Sequence, residues 1–228
     1  MPKNKMLFSL ARLALVAAPL LLTACAVHKP IPYDYTAFRA SKPSSILVLP
    51  PLNKSVDIRA SYSVMSTATW PLAESGYYVF PVAVVDQTFK ENGLDNPADI
   101  HETPLPKLRE IFGADAVMYI SVQQYGTKFM VLDSVTVVEA TGKLVDARTG
   151  ALLWQGRASA SDAEGRSNSG GGLVGMLVTA LVRQIAGGVS DPGHGLSHIS
   201  NARLLRAQPN GLLYGPRSPQ YQKEQVVP

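Results

Sequence analysis

The chain has 228 residues, 46% of them hydrophobic and 17% charged, which suits one domain of ordinary size with its own core and is too apolar for global disorder. Its single Cys excludes an intramolecular disulfide framework and any multi-Cys zinc site. A formal charge of +4 and a pI near 9.2 would suggest an anionic partner such as nucleic acid or a membrane surface, so where the charge lies decides what it means.

The first segment has the pattern of an export signal. Lys3, Lys5 and Arg12 form a basic start, Leu13 to Leu22 is an uncharged apolar run, and small residues follow. That run falls far short of the roughly 20 residues a membrane-crossing helix needs. Leu22-Thr23-Ala24-Cys25 resembles the bacterial lipobox. The resemblance implies cleavage after residue 24, diacylation of Cys25 on sulfur, and palmitate-type anchoring of the new N-terminus; the alternative is an ordinary cleaved signal with an incidental Cys at the junction. Each buried methylene contributes about 0.8 kcal/mol, so two or three acyl chains anchor stably where one would not. In the sorting system of that motif an Asp after the Cys favours the inner membrane; here the residue is Ala26, which points to the outer membrane. Removal of the signal takes three bases and no acid, leaving 18 basic and 17 acidic residues and a formal charge of +1. The apparent basicity belongs to the export signal and to a mildly basic C-terminus, so nucleic acid drops out as a partner.

Residues 25–44 read as the lipidated Cys and an extended tether, with Pro30, Pro32 and Pro43 and no clear period. Ser45 to Pro50 is a short β-rich run that starts a domain spanning 45–188. Asp57 is placed to cap a helix from Ile58 whose core face would carry Ile58, Tyr62, Met65 and Leu72, kinked near Pro71 and stopped at Gly76. Tyr77 to Val85 reads as a strand, Asp86 to Asn92 as a short helix, and Pro106 to Phe112 as a helix stopped by Gly113. Ala116 to Gln123 alternates apolar and polar residues as a strand with one better-covered face; Val131 to Asp146 is a second strand with a bend expected at Thr141-Gly142. Asp146 to Gly150 is a turn signal, and Ala151 to Ala160 can return antiparallel. Ser159 to Gly172 reads as a polar loop and Leu173 to Ala186 as an apolar helix covering the sheet, with an oligomer contact or a membrane-inserting segment as the competing uses. Residues 189–228 show no sustained period and read as a flexible tail. Helices among the first strands followed by a meander predict an α/β fold, a single domain with a mixed sheet and covering helices.

The search for chemistry yields little. Neither nucleotide-binding glycine motif is present, so no cofactor is assigned. His194 and His198 are four apart, but Pro192, Gly193 and Gly195 disfavour the helix that would align them, and no metal is assigned. G-x-S-x-G is absent, and the carboxylate pairs Asp95/Asp99 and Asp162/Glu164 sit in turn-like segments, so no catalytic residue is expected. Asn53 and Ser55 are candidates for shaping a partner-contact loop after the first strand, with plain loop capping as the competing role.

SILVLPPLNKS, PLAESGYYVFPV, KLREIFGADAVMYISV and LVDARTGALLW together resemble a family of bacterial outer-membrane lipoproteins of unknown function, over about Tyr33 to Gly188. More distantly, the opening strand and the hairpin ending at Trp154 are similar to CsgG-type secretion-pore lipoproteins and LpoB-type activators of penicillin-binding proteins. The resemblance implies a domain similar to the TolB N-terminal domain, used for protein contacts. The expectation is therefore a periplasm-facing lipoprotein, held in the outer membrane through Cys25, that serves as a non-catalytic interaction or assembly factor for envelope proteins. The alternatives are an envelope enzyme acting on peptidoglycan or glycan, and a structural subunit that oligomerises through residues 173–186.

Overall fold

In the computed structural model, which describes residues 33–129, 134–165, 191–208 and 211–223, the SILVLP run becomes strand β1 (Ser45–Val48), buried from Ile46 onward. Proline has no N–H to donate to a ladder, so the strand pauses at Pro50-Pro51 and resumes as β2 (Leu52–Asn53). Between and beyond these pieces the N–H groups of Leu49 and Lys54 donate to the carbonyls of Met118 and Val122, at 3.1 and 2.9 Å. Both pieces run parallel to one long strand, β4 (Ala116–Phe129), and a two-residue β3 (Tyr78–Val79) pairs parallel with β1 on the outer side. Strands β5 (Ser134–Asp146) and β6 (Leu152–Ser161) then add antiparallel, so the sheet of order β3-β1-β4-β5-β6 is mixed, as expected.

Alternation along the strands builds two cores. Ile46, Val48, Met118, Ile120, Val138 and Leu144 face helices α1 (Thr36–Ser41) and α2 (Ala60–Glu74), whereas Leu47, Leu49 and Val117 face α3 (Val82–Glu91), α4 (Pro97–His101) and α5 (Leu105–Phe112). Because β1 is covered on both faces, its sequence is a continuous apolar run rather than an alternating one. The last helix, α6 (Pro192–Leu205), joins α1 and α2 in the first core.

The β5–β6 hairpin is set by its turn. Asp146 Oδ1 accepts the N–H groups of Arg148 and Thr149, both at 2.8 Å, and Gly150 closes the turn at a φ of 75° that favours glycine. Further along, Gly142 and Gly156 lie opposite each other and the ring of Trp154 rests on the pair: a Cβ at Gly156 would come within 2.3 Å of the indole. Glycine at both positions lets the buried Trp154 lie against the sheet.

Several expectations are corrected. The tether ends earlier than residue 44, because Tyr35 and Phe38 are buried in the first core and α1 belongs to the domain. The Tyr77 to Val85 run gives only two strand residues; Pro81 caps α3, which begins at Val82 and buries Val85 and Phe89 at a helical spacing. Helix α2 starts at Ala60, and its buried stripe is Ala60, Val64, Ala68 and Leu72, with Met65 also inside; Ile58 and Tyr62 are exposed. Strand β5 carries no break at Thr141-Gly142, and the irregularities fall instead at Val122/Gln124 and Leu144/Val145. Residues 192–205 are not a tail: α6 buries Leu196, Leu204 and Leu205. Cys25, with the signal and the start of the tether, and the Leu173 to Ala186 segment lie outside the described residues.

Candidate functional site

The loop between β2 and α2 satisfies its own polar groups and leaves its apolar ones bare. The Asn53 side-chain oxygen accepts the N–H and hydroxyl of Ser55, at 2.8 and 2.7 Å, and the Asn53 amide donates to the Asp57 carbonyl at 2.8 Å. Asp57 in turn accepts the N–H and Nε of Arg59, at 2.9 and 3.0 Å, and pairs with the guanidinium at 2.6 Å. These two side-chain-to-backbone turns brace the loop from within. Its two large apolar side chains point to solvent: Val56 is 100% exposed and Ile58 is 88% exposed. One turn into α2, Tyr62 is also exposed and is held by Lys90, whose ammonium donates to its hydroxyl at 3.1 Å. Asn53 and Ser55 thus shape the loop by capping it, and the residues they display are Val56 and Ile58.

A network roots this loop in the domain. Arg59 reaches Asp191 at 3.2 Å, and the same carboxylate caps α6 by accepting the N–H groups of Gly193 and His194 at 3.0 and 3.3 Å. The Tyr125 hydroxyl, on β4, donates to Asp191 Oδ2 at 3.2 Å and lies 3.0 Å from Ser63 Oγ. Ser63 Oγ lies 3.0 Å from His194 Nδ1 and 3.2 Å from Ser197 Oγ. The hydrogen bond from Arg59 holds Asp57 below the usual carboxylate range, and the Asp57 bond together with the charge of Asp191 raises Arg59. Burial pushes the Tyr125 phenol up, against the Ser63 hydrogen bond that pulls it back.

Ser63, His194 and Asp191 are the residue types of a hydrolytic triad, but they are wired otherwise. A triad needs its acid on the imidazole to orient the base. Here Asp191 engages the backbone of α6, Arg59 and Tyr125, and Ser63 is 7% exposed with three side-chain neighbours. The arrangement clamps α2, β4 and α6 to one another. His194 and His198 do share a helix, with ring centroids 5.3 Å apart, and burial followed by the His194 charge lowers the His198 pKa. Among the described residues no group of three His, Cys, Asp or Glu is placed to hold a metal, and no helix is long and apolar enough to cross a membrane.

Two of the acids singled out in the sequence have structural partners. Asp162 accepts the N–H of Thr136 at 2.9 Å, and Glu164 pairs with Arg203 of α6 at 2.6 Å. Arg59, Ser63, Tyr125 and Asp191 were not signalled as a set, since three segments far apart in the sequence supply them. Asp191-Pro192 is the local signal that was available: an N-cap followed by proline in the first turn opens a helix. Gly193 masks it, and the structure gives the reason for that glycine, because a Cβ there would sit 2.6 Å from the Tyr125 ring.

Comparison with known proteins places the chain. Residues 33–217 match the family model described as "Putative lipoprotein GNA1162-like", and the chain belongs to that family. It is similar to the Neisseria meningitidis serogroup B protein named "Putative lipoprotein NMB1124/NMB1162", with 52% identity over 203 residues, 89% of this chain and 94% of the relative. The crystal structure of lipoprotein GNA1162 from Neisseria meningitidis superposes with a TM-score of 0.52 at 52% identity, covering 64% of this chain and all of that one. The LpoB C-terminal domain from Salmonella enterica gives a TM-score of 0.39 at 21% identity, covering 51% of this chain and 82% of that one.

Proposed function

From membership of this lipoprotein family we propose that the chain is anchored to the outer membrane by lipid on Cys25, faces the periplasm, and acts there as a non-catalytic interaction factor for an envelope protein complex. The family description and the single Cys at the end of an export signal support the anchor. The observation that carries the interaction role is the braced β2–α2 loop, whose backbone-capping side chains are spent internally while Val56 and Ile58 stand free. Apolar side chains on a pre-ordered loop lose little conformational entropy on docking and release water when a protein partner covers them. Ser63, His194 and Asp191, the residue types of a hydrolytic triad, are instead engaged in holding α2, β4 and α6 together.

Two measurements test this reading. Cys25→Ala should abolish metabolic labelling with radioactive palmitate and release the protein from membranes; unchanged labelling would sink the anchor. A photo-cross-linking residue at Lys54 in intact cells should give a discrete adduct, identified by mass spectrometry as an envelope protein and removed by the double change Val56→Asp and Ile58→Asp. The same adduct from a cross-linker at Lys107 on α5, or an adduct indifferent to the double change, would refute the loop as the contact.

A further inference from the structure

A cavity of about 370 Å³ lies at the opposite end of the sheet, between α1 and the C-terminal residues 213–222. Its volume falls within the range of about 300 to 1,000 Å³ typical of small-molecule sites. Phe38, Arg39, Lys42, Pro43, Tyr214 and Tyr221 line it, and among the described residues no carboxylate does. Phe38 and Pro43 are buried and supply apolar wall, while the two tyrosines add ring surface. Arg39 and Lys42 are exposed and make no ion pair among the described residues.

The backbone fixes these cations where they are. Lys42 ends α1 at a φ of 49°, with its N–H donating to the Phe38 carbonyl at 3.0 Å. Gln222, across the cavity, has a φ of 59°, and among the described residues these two are the non-glycine positions with positive φ. Left-handed backbone at a side-chain-bearing residue is sparsely populated, and here it occurs twice around one cavity. The cavity is lined by α1, the first helix of the described domain. Tyr33 follows Cys25 by eight residues, so the domain starts within about 30 Å of extended chain from the proposed lipid.

We propose that this cavity binds a phosphate group carried on a small organic body, namely the headgroup of an anionic phospholipid. The Arg39 guanidinium matches two phosphate oxygens at once, Lys42 adds a point charge, and Tyr221 with Phe38 and Pro43 packs against the glycerol portion. The membrane as source rests on the Cys25 anchor proposed above; palmitate labelling tests that anchor separately and leaves the binding measurement unaffected.

The test uses the full acylated protein in a neutral maltoside detergent, titrated by calorimetry with dihexanoyl-phosphatidylglycerol, dihexanoyl-phosphatidylcholine and inorganic phosphate. Saturable binding of the phosphatidylglycerol is expected, with the phosphatidylcholine and inorganic phosphate each about tenfold weaker or more. The double change Arg39→Gln and Lys42→Gln should weaken the phosphatidylglycerol about tenfold or more, in line with the loss of charge-assisted hydrogen bonds, with the thermal unfolding midpoint unchanged. Tyr221→Ala should weaken it about threefold, in line with the lost ring contact. The absence of saturable phosphatidylglycerol binding, or full affinity in the double variant, would overturn the site. Equal affinity for phosphatidylcholine would overturn the recognition of charge, and equal affinity for inorganic phosphate would overturn the lipid headgroup as ligand.

Discussion

Leu205→Ala separates a C-terminal tail from a C-terminal core helix more sharply than any other single change. Leu205 is fully buried in the first core, and its neighbour Leu204 places a methyl 3.5 Å from where a Cβ on Gly142 would stand, close under Trp154. Removing three buried carbons forfeits roughly 2.4 kcal/mol of transfer free energy, at about 0.8 kcal/mol for each. The cavity left behind raises the expected cost to about 3 kcal/mol, within the range of about 2 to 5 kcal/mol for Leu→Ala in a core. For a domain of this size that is a fall of about 6 to 12 °C in unfolding temperature. Urea denaturation followed by tryptophan fluorescence reads it directly, since Trp154 lies in the same core. Leu152→Ala is the control: Leu152 is 44% exposed on β6 and should cost less than about 1 kcal/mol. A Leu205→Ala midpoint indistinguishable from that control would show that α6 contributes nothing to the cooperative unit, and the correction of residues 192–205 from tail to helix would fall with it.

Three further outcomes follow from the packing and the charges. Gly156→Ala should destabilise by about 1 to 3 kcal/mol, because its Cβ would meet the Trp154 indole at 2.3 Å; wild-type stability by the same urea assay would refute that contact. Asp191→Ala removes the α6 cap and the Arg59 partner and should cost about 1 to 2 kcal/mol, mostly from the cap, since Arg59 is largely exposed; Asp191→Asn keeps a capping oxygen and should recover most of the loss. Stability should fall on acidification in two stages. Burial lowers the pKa of His101 and His198, so the unfolded chain binds more protons as pH drops below about 6.5 and stability declines there. Asp115 is pushed up by burial but pulled further down by four hydrogen bonds from Ser44 and Ser45, so its contribution is present above about pH 3.9 and is lost below it. A urea midpoint that rises between pH 7 and pH 5 would contradict the histidine sign, and His101→Asn should flatten that limb.

The parts of the fold that were legible in the sequence are those whose causes are local. Asp146 and Gly150 announce their turn because the hydrogen bonds that make it span two to four residues. Gly113 stops α5 by the same kind of cause, a left-handed residue whose N–H returns to Arg109 at 2.8 Å. The misreadings arise where a distant partner decides. Helix α6 opens with Gly193 because Tyr125 approaches too closely for a side chain there, so its helical pattern is diluted by the contact that stabilises it. The α2 stripe of Ala60, Ser63, Val64, Thr67 and Ala68 is small and partly polar for the same reason: Asn201 of α6 reaches across to donate to the Val64 carbonyl and Thr67 Oγ1, both at 2.7 Å. Large apolar residues drew the core prediction to Ile58 and Tyr62, yet the close interface selected small ones and left the large ones outside. Asn53 and Ser55 could be marked as loop residues, but which side chains they display depends on where Arg59 finds Asp191.

The two proposed sites fall at opposite ends of the long strand β4. Lys42 and Pro43 lead directly into β1, whose residues pair with Ala116 to Met118 at the start of β4, whereas Asn53 pairs with Val122 and the loop's root, through Asp191, is at Tyr125. Nine residues separate Ala116 from Tyr125, about 30 Å of strand. The rigid part between them is the doubly covered portion of the sheet, and the clamp of Ser63, Tyr125 and Asp191 fastens the loop to it. A headgroup site at α1 would hold that end of the domain against lipid, and the stiffness of the sheet would then set the reach of Val56 and Ile58 away from it. The lipid proposed on Cys25 would by itself limit only the distance of the domain from the membrane, since Tyr33 follows Cys25 by eight residues. Orientation needs a second contact, and Arg39 and Lys42, which make no ion pair among the described residues, line the cavity proposed to make it.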